Sequence, residues 1–444
     1  MSAARIRVTV LAAMAFALYA WLSSAPADAA VFRYWQGRFD GTKKMSDSNN
    51  WDGSSNIAAG DFLTFGQQIV FQGDIINDLN GFSVTRLTFT GGYGFTMSGN
   101  PLTVTESIIV NNDGGEHYIA LNVDGKAETL VGRGAYLHLS GVNTFIGDID
   151  VNGRLYADSN TALGSTAGVT RINQGAELRI AGRDLSEPLR IVGGDGSCAL
   201  RNDGGTSILR NVQYAGASCI SNNGTLSIPN GLGEFADGFD VLLANGEFQV
   251  GGTTNATGPL RLGFLGNLLW DSSAQVDITS SQLGNDLAPM NLRGSGTAAS
   301  LDFFGATFSP GSNGATGRFS LTGAFTIHDA KLSLGINGTT AGTGHSAVQA
   351  GGPVSIGADT ELQLALMIGY TPAVGSQYRI VDNTGNQPIS GTFKDLPEGA
   401  KFIQAGRPWS ITYKGGTGND VVVTALQPDA RPFKRFVPLL AAGN

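Results

Sequence analysis

Residues 134–165 read GAYLHLSGVNTFIGDIDVNGRLYADSNTALGS. Apolar and polar side chains alternate, the pattern breaks at Asn152-Gly153, the alternation resumes, and a short A-L-G-S loop follows. Taken alone the stretch is a β-hairpin. Taken as one unit of a series it is a coil of a solenoid and part of the next coil. Spacing separates the two readings: hairpin proteins place their turns roughly 8–12 residues apart, whereas solenoids repeat at roughly 20–50.

A pattern of turn residue, short spacer and apolar-x-apolar centres on Leu155, Leu178, Leu200, Leu226, Phe248, Val276 and Leu301, in steps of 23, 22, 26, 22, 28 and 25 residues. That is solenoid spacing, in which each coil buries its inward row against its neighbours. Further strand-like runs occur at 68–72, 84–89, 107–111, 176–182, 331–336, 361–367 and 409–413. Asn-Gly or Asp-Gly pairs such as 113–114, 124–125, 152–153, 223–224, 245–246 and 337–338 mark turns, where Gly is expected to take positive φ. Helix-forming sequence is scarce, so the expected fold is mainly β, a right-handed parallel β-helix. In the opening stretch Leu137, Leu139, Ile149, Val151 and Leu155 are the expected interior, with Tyr156 as a further candidate.

Composition agrees. Gly accounts for 64 of 444 residues, about twice the ordinary share of roughly 7%. Charged residues are only 14%, and the net charge of −8 with no basic cluster before the final residues argues against nucleic-acid binding. The N-terminus has the form of a secretory signal: Arg5 and Arg7, an apolar run from Val8 to Leu22, then Ala27-Asp28-Ala29 as a small-x-small cleavage site. The apolar run falls short of the roughly 20 residues of a membrane span. The expected location is therefore beyond the inner membrane: periplasm, cell surface or medium, with no span in the mature chain.

The run LSGVNTFIGDIDVNGRLYADSNTALGS followed by VTRINQGAELRIAG, within 135–182, resembles the autotransporter-associated β-strand repeat. The early segment RYWQGRFDGTKKMSDSNNWDGSS is similar to the Trp-Gly…Asn-Trp opening of such proteins, and DFFGATFSPGSNGATGRFSLTGAFTI from 302 to their S-P-G segment. Residues 369–426 resemble the end of a passenger domain. The resemblance implies a secreted or surface-displayed passenger-like β-helix. Only one copy of the repeat is clear, and the last eighteen residues, QPDARPFKRFVPLLAAGN, are not expected to form the alternating strands of a translocator barrel.

Several residues carry potential chemistry. Asp148 and Asp150, with Asp158 nearby, resemble the carboxylates of β-helix polysaccharide lyases and hydrolases; i and i+2 share a strand face, and glycosidic cleavage needs such a pair. Because Ile149 and Val151 would point inward, a solvated polar face with Arg154 and Arg179 as ionic partners is the favoured reading. Gly415 to Val423 fits one copy of a calcium-binding nonapeptide, but stacking requires tandem copies, so a Gly-rich hairpin is expected. His117, His138, His328 and His345 lack metal-site spacing, with His138 expected to face outward. Tyr34, Trp35 and Trp51 suit sugar stacking or, preferably, a cap over the first coil. Cys198 and Cys219, 21 residues apart and near one coil length, are disulfide candidates, with two buried free thiols as the alternative.

The expected organisation is a signal peptide (1–29), a cap (30–60), a β-helix (61–345, repeat at 135–182), a C-terminal β segment (346–426) and a tail (427–444). The expected function is an exported structural or adhesion-type surface protein, meeting extracellular matrix, glycans or cell-surface components. No catalysis, metal or cofactor is expected. Two alternatives stand beside it: a carbohydrate-active enzyme on a β-helix, and a remnant of a larger autotransporter passenger.

Overall fold

The computed structural model describes residues 30–428 apart from 38–41, 67–72, 93, 112–113, 193–197, 215–218, 232–238, 244–245, 253–259, 264–265, 272–276, 281–289 and 312–314. The signal segment 1–29, the run at 68–72, Val276 and most of the tail therefore lie outside the described residues. The regular secondary structure of the described residues is almost entirely strand, paired mostly in parallel ladders: a parallel β-helix. None of its helices is long and apolar enough to cross a membrane. The chain divides into two compact units, Met1–Arg171 with Ala176–Leu178, and Ile172–Gly175 with Arg179–Asn444.

The first unit has two parallel ladders. One runs through Phe32–Trp35, Phe62–Phe65, Phe82–Phe89, Leu102–Val110, Glu128–Val131 and Ile149–Val151. The other runs through Gly73–Asn77, Phe95–Gly99, Glu116–Ile119, Tyr136–Leu139 and Arg154–Ala157. This settles the opening stretch. Ile149–Val151 belongs to one ladder and Arg154–Ala157 to the other, so Asn152-Gly153 is a corner between faces and not a hairpin turn. Gly153 does not have positive φ. It is required because the corner stacks on the preceding coil, where a side chain would meet the carbonyls of Gly132 and Ala135.

Leu137, Leu139, Ile149, Val151 and Leu155 are all fully buried. Tyr156 is not among them. Leu155 and Ala157 take the inward positions, and the two-residue period turns Tyr156 outward. Polar residues of the stretch act between coils. Buried Asn143 accepts the Val123 N–H at 2.9 Å and donates to the Ala162 carbonyl at 2.7 Å, while Phe145 fills the interior beneath the A-L-G-S loop.

At the start, parallel pairing is already present inside the expected cap, since Phe32–Trp35 pairs with Phe62–Phe65. The other edge of that strand is blunted. Asp52 accepts the Tyr34 N–H at 3.0 Å, Trp35 bridges Trp51, and the Trp51 indole donates to the Met45 carbonyl at 2.8 Å. Trp35 and Trp51 are buried, edge to face and 5.1 Å apart, and both pack on Phe65; Tyr34 remains exposed.

The second unit also contains long parallel ladders. One contains Cys198–Asn202, Cys219–Asn222, Ser300–Phe304, Phe325–His328 and Val354–Ile356, and another Thr206–Leu209, Thr225–Ile228, Gly246–Val250, Lys331–Ile336 and Glu361–Leu366. The sequence anchors change ladder between them. Leu200 lies beside Ile220, whereas Leu226 lies beside Ser207 and Phe248. The 26-residue step from Leu200 to Leu226 is thus a change of face, not a longer coil. Buried Asn202 and Asn222 stack at the corner and hydrogen-bond at 2.8 Å, with Ser207 donating to Asn202.

Parallel pairing runs past residue 345. Lys331 faces Glu361 and Ser355 faces Ser390, so coils near this end lengthen beyond the spacing read from the anchors. Near this end, among the described residues, antiparallel ladders join the sheet, with Asp420–Ala425 between Gln377–Asn383 and Arg407–Gly415.

Candidate functional site

The outward face of the second ladder in the first unit gathers the most chemistry. Parallel register places Thr96, Tyr118 and His138 side by side, and Tyr156 beside His138. The His138 ring lies stacked between Tyr118 (centroids 4.2 Å apart) and Tyr156 (3.8 Å). Its Nδ1 is 2.8 Å from Asp158 and its Nε2 2.9 Å from Glu116. In the adjacent outward row Glu116, Tyr136 and Arg154 are neighbours. The Arg154 guanidinium sits 5.0 Å over the Tyr136 ring and pairs with Glu177 at 2.6 Å. Burial, reinforced by the negative charge of Glu116, lifts the Tyr118 hydroxyl above the usual phenol range. The stack borders an open groove floored by glycines, including Gly94 and Gly115, and walled by Asp74, Thr96, Glu116 and Tyr118.

His138 faces outward as its strand position requires. The rest of this cluster escaped the sequence reading, because its members are separated by a whole coil of variable length. The available signal was a ring at the same strand position in three coils: 118, 138 and 156.

Asp148 and Asp150 lie elsewhere, on the first ladder. Their partner is Arg171, at 2.8 and 3.8 Å, and not Arg154 or Arg179 as the sequence suggested. Arg154 is taken by Glu177, and Arg179 approaches Asp203 at 3.9 Å. Asp148 also accepts the Val169 N–H, and the Arg171 hydrogen bond holds its carboxyl below the usual carboxylate range. An anion fixed in this way is a poor proton donor for glycosidic cleavage. Asp158 belongs to His138 and not to this pair.

His117 points inward, fully buried against Phe89 and Phe95, and neither ring nitrogen has a hydrogen-bond partner among the described residues. Burial pulls its pKa down to about 4. His345 is buried between the Gly338 and Arg379 carbonyls, at 3.2 and 3.1 Å, and burial lowers its pKa as well. His328 is exposed, 3.6 Å from Asp302 and stacked on Phe304.

Gly415 to Val423 spans the turn of the Arg407–Gly415 and Asp420–Ala425 hairpin. Buried Asp420 receives the Asn383 N–H at 2.9 Å and meets Arg379 at 3.2 Å, so both of its oxygens are engaged in fastening the hairpin. Among the described residues no group of three or more His, Cys, Asp or Glu is arranged to hold a metal. Cys198 and Cys219 are joined by a disulfide.

No family model matches this chain, and no curated relative matches it.

Proposed function

We propose that this chain is an exported, non-catalytic surface protein whose β-helix presents a rigid outer face to matrix, glycans or other cells. The Tyr118–His138–Tyr156 stack carries this reading. Rings held on a hydrogen-bonded ladder, with carboxylates fixed at both nitrogens of the central one, form a preorganised contact surface that loses little side-chain freedom on binding. The form of residues 1–29 supports export, and the repeat-like stretch at 135–182 supports a passenger-like role. The engagement of Asp148 and Asp150 by Arg171 supports contact over cleavage.

The test is to incubate the purified mature chain with intact producing cells and, separately, with soluble polysaccharides. The chain is expected to co-sediment with cells and to release no new reducing ends. Release of reducing ends or unsaturated sugars, abolished by Asp148→Asn with Asp150→Asn, would overturn the reading in favour of an enzyme.

A further inference from the structure

We propose that the groove of the first unit binds one ring of a neutral polysaccharide, which extends the Tyr118–His138–Tyr156 stack by one layer; this deepens the surface-contact reading and rests on it. Successive rings in the row are 4.2 and 3.8 Å apart, so each coil supplies one layer. Tyr118 is stacked on His138 through one face. Its register neighbour on the other side is Thr96, and next in the row comes Asp74. Neither side chain has a ring, and among the described residues the groove occupies the layer above Thr96. Its volume of about 510 Å³ falls within the roughly 300–1,000 Å³ of small-ligand sites. Gly94 lines it where two coils approach closely, since a side chain there would press on the Glu116 backbone.

The walls select the ligand. Asp74 is paired with Lys43 at 3.1 Å and Glu116 with His138 at 2.9 Å, so both carboxylates have a basic partner yet retain acceptor sites. Such walls suit a ligand that donates hydroxyl hydrogens and carries no charge. They disfavour an anion and offer little to a bare aromatic ring. A pyranose meets both demands: its C–H face packs on the open Tyr118 ring while its hydroxyl edge donates to Asp74 and Glu116. Tyr118 is 38% exposed and lines the groove.

Immobilised neutral oligosaccharides built from glucose, galactose, mannose or N-acetylglucosamine are titrated with the purified chain, Tyr118→Ala and Thr96→Tyr, and the circular dichroism melt of each protein is recorded. At least one saccharide is expected to bind the unmodified chain, and each variant to weaken it tenfold or more with little change in melting. Thr96→Tyr fills the open layer while leaving Tyr118, Asp74 and Glu116 in place, so it distinguishes occupancy from loss of fold. Binding to none of the saccharides, or binding that survives Thr96→Tyr in a folded protein, would overturn the proposal. Surface location is measured independently: a surface protein without saccharide binding defeats this inference alone, whereas a protein absent from the surface defeats the broader reading.

Discussion

Cys198 and Cys219 face each other directly across adjacent coils, with Cα atoms 4.1 Å apart and a disulfide between them. A bulge follows at once, so that Leu200 pairs with Ile220 and not with the residue the cysteine register would give. The bond closes a loop of sequence separation 21. Restricting the unfolded chain in this way contributes about 3 kcal/mol. The non-reduced protein should show no free thiol by mass spectrometry, and Cys198→Ser with Cys219→Ser should lower stability by about that amount. Two free thiols in the native protein would contradict this pairing.

His117 gives the fold an acid sensitivity with a definite sign. Its folded pKa of about 4 lies below the ordinary 6.5, so between those values the unfolded chain takes up a proton that the folded chain refuses. Stability from this site is therefore complete above pH 6.5 and is lost as the pH falls towards 4, by up to about 3 kcal/mol. Urea unfolding of the chain and of His117→Leu at pH 7 and at pH 4.5 isolates the effect. The variant should lose distinctly less stability on acidification, and an identical loss in both proteins would refute the assignment.

Asn143 should be costly to replace. Its amide joins the Val123 N–H of one coil to the Ala162 carbonyl, and all three groups are shielded from water. Asn143→Leu leaves both backbone groups unpaired, at roughly 1–3 kcal/mol each. Urea denaturation should show a loss of several kcal/mol; a loss below about 0.5 kcal/mol would mean the bridge contributes little.

These residues also show what the sequence made readable. Leu137, Leu139, Ile149 and Val151 declared themselves through two-residue alternation, a local property of a strand with one buried face. Tyr156 was misplaced because its inward neighbour, Ala157, is too small to look like core. The His138 stack was hidden for a different reason. Its partners are one coil away, and coil length varies: Tyr136 faces Glu116 twenty positions back but Arg154 eighteen positions on. A shift of one residue would have turned each ring to the other face. For the same reason Arg171, not Arg154, meets Asp148. Gly153 was legible as a corner but not for its cause, since the need there is close approach of coils and not positive φ.

Gly153→Ala tests that cause. The added methyl group would meet the Gly132 and Ala135 carbonyls, which are backbone atoms with little freedom to yield. A destabilisation of about 1–3 kcal/mol is expected from such overpacking, read as a drop in urea midpoint. A neutral outcome would mean that the corner is looser than its stacking implies.

The most direct measurement of the central claim is the location of the mature chain in its native cell. Fractionation into periplasm, outer membrane and medium, with protease shaving of intact cells, should find the chain at the surface or in the medium, cleavable from outside. A chain found entirely as a soluble periplasmic pool, untouched by external protease, would contradict the account.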